Sequence, residues 1–137
     1  FEETALRRLR TELGWNGKLM MILGGKKPGA DGTDYDALSR PAGMKRVATF
    51  ADTIGPGIGR VVTWDKSGQL HVSAFTHDAH AAGLQVHWGV VRRDDLPDNC
   101  PSLDALHAAL FEAAGSEGGF TDFPDLTVQW LKDHKLR

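Results

Sequence analysis

Cysteine is almost missing from this chain: Cys100 stands alone, so no internal disulfide staples the fold and the redox compartment is left open. Long apolar runs are missing too. The longest, Leu19 to Leu23, falls far short of the roughly 20 residues that cross a bilayer, so no membrane partner is expected. Basic charge is not in excess. Sixteen Lys+Arg face eighteen Asp+Glu for a net charge of −2, and no basic stripe is set to neutralise a row of phosphates, which argues against nucleic acid as the partner. The chain opens on Phe1-Glu2-Glu3-Thr4, with neither an initiating Met nor the charged and apolar regions of an export signal, and the expectation is a piece of something longer. What is there is an ordinary globular composition, 41% hydrophobic and 25% charged over 137 residues, sufficient for one packed unit and too apolar for disorder.

Periodicity then orders the elements. Ala5, Leu6, Leu9 and Leu13 recur at helical spacing behind Glu2 and Glu3, and Gly14 ends the run, which predicts an amphipathic helix. Lys18 to Leu23, bounded by glycines, predicts a strand buried on both faces. Gly24 to Asp36 has no periodicity and reads as a long, exposed, partly mobile loop. Pro41 opens a second helix running to about Asp52, Thr53-Ile54-Gly55 is a very short strand, and Arg60 to Gly68 is a brief extended excursion. Val72, Phe75, Ala79 and Ala82 predict a third helix closed by Gly83. Leu84 to Val91 follows as a strand of two parities, one apolar (Leu84, Val86, Trp88, Val90) and one carrying His87. Ser102 caps a helix that Gly115 closes, Gly118 to Asp122 is a short strand, and Pro124 opens the last helix, with Leu126, Trp130 and Leu131. Helix and strand alternate throughout. That pattern predicts an α/β fold of parallel βα units with both faces of the sheet covered, either a small open sheet or half of a βα barrel, since a complete barrel takes about 250 residues.

Few residues offer chemistry. His87 lies on the polar parity of its strand and in a barrel would point inward near the carboxyl end, where active sites are built, although a hydrogen-bonded core imidazole has the same pattern. Arg92 ends the same strand as a planar fork suited to phosphate, or as one member of a solvated Arg92-Arg93-Asp94-Asp95 cluster. His77 and His80, three apart on a helix without a carboxylate or cysteine partner, read as two rings facing water rather than a metal site. Gly55-Pro56-Gly57-Ile58-Gly59 lacks the lysine and spacing of a phosphate loop and reads as a change of chain direction. Asp122 reads as the cap of the last helix, at a strand's carboxyl end.

Several of these segments together resemble the C-terminal half of bacterial glycerophosphodiester phosphodiesterases of the periplasmic type. They are Asp34-Tyr35-Asp36 with Pro41; Met44 to Ala48 continuing to Ala51-Asp52-Thr53-Ile54-Gly55-Pro56; His77 to His87; Arg92 with Asp95-Leu96-Pro97; and Gly119-Phe120-Thr121-Asp122-Phe123-Pro124-Asp125. The resemblance implies a TIM barrel, of which residues 1–137 supply strands five to eight, and it implies hydrolysis of glycerophosphodiesters to glycerol 3-phosphate and an alcohol. In the family the acid–base histidines and the carboxylates that hold a calcium or magnesium ion lie in the N-terminal half. By that resemblance this chain carries no catalytic residue and no metal ligand, and it binds no cation alone. It keeps the substrate wall, where the motif matches place His87, Arg92 and Phe123, with Asp122 in support. Gly89, Val90 and Met21 depart from the family, which usually has an aromatic residue, a hydroxyl and a polar residue there. The implied partners are a small glycerophosphodiester and either the missing N-terminal half or a second copy; the implied location is periplasmic or secreted. A non-catalytic half-barrel that binds or scaffolds is the competing expectation.

Overall fold

The computed structural model describes residues 1–136. Its frame is a four-stranded parallel sheet in the order β1-β2-β5-β6, formed by β1 (Met20–Ile22), β2 (Thr53–Gly55), β5 (Gln85–Val91) and β6 (Gly118–Thr121). Every pairing within it is parallel, with Met21 beside Ile54 and Ile54 beside Val86. Parallel neighbours need crossovers long enough to return the chain, and here helices make them. This is a sector of βα units, compatible with part of a βα barrel.

One face of the sheet is fully covered. Met21, Ile54, Val86, Trp88 and Val91 point into it and have no exposed surface, and each such side chain contributes about 1.5–3 kcal/mol by leaving water. The helices packed there are α3 (Pro41–Val47), α4 (Phe75–Ala81), α5 (Leu103–His107) and α6 (Pro124–Asp133). They bring Met44, Val47, Ala79, Leu106 and Trp130 to the same core. Ser102 caps α5 as its sequence predicts, accepting from the Ala105 N–H at 3.1 Å. The opposite face is covered only in part. Thr53 and Gly55 are buried there and Met20 and Ile22 half-buried, but Gln85, Val90 and Phe120 are exposed, so the expected cover of both faces is incomplete in this stretch of chain.

Other differences are local. Helix α1 spans Glu3–Thr11 and stops before Leu13, which is exposed. The Arg10 guanidinium ties α1 to the foot of the sheet, donating to the carbonyls of Phe50, Trp15 and Gly17 and to Asp52. Helix α2 (Tyr35–Leu38) begins where a loop is expected, because the Asp34 carboxylate accepts from the Ala37 N–H at 3.0 Å. Helix α3 ends at Val47 rather than near Asp52. Strands β3 (Val62–Trp64) and β4 (Leu70–Val72) form an antiparallel hairpin inside the β2-to-β5 crossover, and this claims Val72 from the predicted third helix. The Asp65 carboxylate turns that hairpin by accepting from the Ser67 and Gln69 N–H groups. Helix α5 widens into a π turn over Ala108–Ala113, which periodicity did not announce.

Strand β5 holds the most informative difference. Its register against β6 shifts between Trp88 and Val91, and an extra residue in a strand reverses the faces beyond it. Val90 therefore turns out, 49% exposed, and Val91 turns in at 0%, the reverse of uninterrupted alternation.

Candidate functional site

The carboxyl ends of the four parallel strands converge on one cavity of about 280 Å³ on the partly covered face, lined by Ile22 and Leu23, by Gly55 to Gly57, by His87, Gly89 and Val90, by Phe120 and by Phe1. Carboxyl ends are where α/β sheets gather their sites, because the loops that follow the strands meet there. His87 is the polar side chain of this lining. Its ring lies over Gly118, where an added Cβ would stand 3.4 Å from Cδ2 and Nε2. Phe120 leans over Gly89 in the same way, 3.3 Å from the position of a Cβ. Two backbone sites without side chains thus leave room for an imidazole and a phenyl ring side by side.

Arg92, Asp122 and Phe123 form a second group at the ends of β5 and β6. The Arg92 guanidinium donates to Asp94, from Nη2 at 3.0 Å and from Nε at 3.3 Å, and its Nε lies 3.5 Å from the Asp122 carboxylate. The Asp94 contact raises the Arg92 pKa and holds the Asp94 carboxyl below its usual range. Phe123 carries the Arg93 guanidinium 5.3 Å from its ring centroid. Asp122 does not cap the last helix: no side chain does, and the Phe123 N–H donates to the Thr121 hydroxyl instead. Pro124, having no N–H, leaves one fewer donor for a cap to satisfy. The structure therefore joins Arg92 to Asp122 and sets Phe123 beside them, while His87 lies in the cavity next door, whose lining includes none of the three.

The cavity continues into a wider cleft of about 630 Å³ that reaches Lys26, Asp36 and Arg60. Reading residue by residue missed these three, and also Phe120 and Val90. The glycine-rich segment after β1 and the turn after β2 offered a signal only through their position, since loops that follow parallel strands all arrive at one end of the sheet.

His77 and His80 are both exposed, beside Asp78 at 3.2 Å and Glu117 at 2.7 Å. Glu117 also accepts from the Val86 N–H at 2.8 Å, pinning the entry to β6 against β5. Among the described residues no group of three His, Cys, Asp or Glu side chains is placed to hold a metal ion. The donors among the described residues do not fit a calcium or magnesium site. Nor, among the described residues, is any helix long and apolar enough to cross a membrane.

No protein-family model matches the chain. Individual proteins do. Over 100 residues it is 32% identical to a glycerophosphodiester phosphodiesterase of Treponema pallidum (strain Nichols), a stretch that makes up 72% of this chain and 28% of that protein. Over 104 residues it is 32% identical to a glycerophosphodiester phosphodiesterase of Haemophilus influenzae, covering 74% of this chain and 29% of the other. Over these stretches the chain is similar to glycerophosphodiester phosphodiesterases. The match spans less than a third of the length of these phosphodiesterases, so the family sequence extends well beyond the sheet described here.

Proposed function

We propose that these residues are the C-terminal half of a glycerophosphodiester phosphodiesterase barrel, strands five to eight, and that they form the wall against which a glycerophosphodiester lies during hydrolysis to glycerol 3-phosphate and an alcohol. The observation that carries this reading is the cavity holding His87 at the carboxyl ends of four parallel strands, in a chain 32% identical to two such phosphodiesterases. His87 faces the substrate. Arg92, steered by Asp94 and Asp122, is the fork that meets a phosphoryl oxygen, and Phe123 closes the rim.

Hydrolysis of a phosphodiester requires neutralised phosphoryl oxygens and a protonated leaving oxygen. The cation, calcium or magnesium, and the acid–base pair come from the remainder of the barrel, and the assembled protein works in the periplasm or outside the cell. Alone, the chain is inactive. A second reading, a non-catalytic half-barrel that binds or scaffolds, draws support from the absence of a three-donor metal cluster among the described residues.

The measurement is choline release from glycerophosphocholine with calcium or magnesium, by this chain alone and after mixing with the upstream half of a family member. No release alone and turnover on mixing is the expected result. Turnover by the chain alone overturns its inactivity, and silence under both conditions with retained ligand binding favours the scaffold.

A further inference from the structure

Beyond His87, the cleft leads to an end of different character. The cavity and the cleft share Phe1, Leu23 and Gly57, and the cleft shares Gly25, Lys26 and Asp36 with a third recess of about 350 Å³ that also takes in Lys27 and Asp34. The three form one trough, apolar beside Phe120 and Val90 and charged beneath the loop that follows β1.

Lys26 and Lys27 share that recess with Asp34 and Asp36. Asp36 is engaged by the Arg60 guanidinium at 2.7 Å, and Arg60 also donates to the Ser39 hydroxyl at 2.9 Å. Asp34 is taken up by the N-terminus of α2. Both carboxylates thus have their cationic or N–H partners, and neither Lys26 nor Lys27 has an ion-pair partner among the described residues. Along the trough three cations, Lys26, Lys27 and Arg60, face two carboxylates, Asp34 and Asp36, so its charged end is net positive.

The segment that carries them is folded. An added Cβ at Gly24 would stand 2.5 Å from the buried Tyr35 ring, and one at Gly29 would stand 2.9 Å from its hydroxyl. The Gly29 N–H donates to the Thr33 carbonyl and the Gly32 N–H to that of Gly29, each at 2.9 Å. These contacts flank the lysines on either side, and Lys26 and Lys27 themselves are exposed and line the recess. As expected, most of the segment is exposed, and its buried members are Thr33 and Tyr35.

We infer that Lys26 and Lys27 select glycerophosphodiesters whose alcohol carries an anionic group of its own, over those with a neutral or quaternary ammonium alcohol. The inference rests on the reading that a glycerophosphodiester occupies the His87 cavity; its alcohol then extends along the trough toward the lysines. An anion there meets two ammonium groups, whereas a choline meets the same groups and is repelled. Each exposed cation–anion contact contributes up to about fivefold in affinity, and salt screens it.

Calorimetric titration of the chain with glycerophosphoinositol, with glycerophosphoinositol 4-phosphate and with glycerophosphocholine tests this. The first two differ by one phosphate monoester. The phosphorylated ligand is expected to bind about five- to tenfold more tightly than its parent, with the ratio falling toward one in a Lys26→Ala/Lys27→Ala variant and in high salt. Equal affinities in the unaltered chain, or a ratio that survives in the variant, overturn the inference and leave the substrate reading intact. Binding of none of the three overturns the substrate reading and the inference with it.

Discussion

Glu3 shows how much one residue can be asked to do. It sits in the first turn of α1, only 6% exposed, and its carboxylate accepts from Arg7 at 2.7 Å and from Arg46 of α3, while its own N–H donates to the Thr33 hydroxyl at 3.1 Å. The Arg46 hydrogen bond, outweighing burial, lowers the Glu3 pKa. A carboxyl whose folded pKa lies below its unfolded one contributes stability that is present above the unfolded value and lost as pH falls through the folded one. Glu3→Gln should therefore cost about 1–2 kcal/mol near neutral pH, because the arginines are partly solvated and only one side of the cluster is dry. Urea midpoints taken between about pH 7 and pH 3 should fall less steeply in the variant than in the parent; parallel acid limbs would remove Glu3 from the explanation. Sequence showed Glu3 only as a favourable charge at a helix start. Its partner Arg46 is 43 residues away, a distance that periodicity does not span.

At the scale of the element, the predicted order of helices and strands largely holds, and it fails where a side chain or a bulge overrides the local period. Strand β5 is the clearest case. Uninterrupted alternation puts Val90 inside and Val91 outside, and the shifted register against β6 exchanges them. Val91→Ala should cost about 1.5–2.5 kcal/mol of stability, in line with a fully buried valine, and Val90→Ala should stay within about 0.5 kcal/mol. The reverse ranking in denaturant melts would restore the simple alternation. The β3–β4 hairpin was hidden for a related reason: Val61, Val62 and Trp64 were legible as extended, but the return strand Leu70–Val72 begins in a polar neighbourhood, and its pairing depends on the Asp65 turn. The π turn after α5 brings Phe111 edge-on to Trp88 at 5.2 Å and into a stack with Trp130 at 5.7 Å. Contacts between three separate elements choose that geometry.

For the whole molecule, the dominant fact is a sheet with helices on one face and exposed Val90 and Phe120 on the other. Its outer strands β1 and β6 each have one paired neighbour, leaving backbone N–H and C=O groups open to association. The isolated chain should associate, and light scattering should report a mass above 14.9 kDa. Val90→Lys with Phe120→Lys should lower that mass while leaving the far-ultraviolet circular dichroism in place, because both side chains lie outside the packed core. A monodisperse monomer in the unaltered chain would count against association. The amino-acid sequence by itself determined the alternation of elements, the parallel class of the sheet, the capping at Ser102 and the place of His87 on the polar parity of its strand, because each follows from spacing along the chain or from a residue's own bonding preferences. Only the tertiary structure decided that Arg92 meets Asp122, that Lys26 and Lys27 line the trough without ion-pair partners among the described residues, and that one face of the sheet is only partly covered. Those outcomes depend on which segments meet across tens of residues, a matter set by packing and by which carboxylates already have partners.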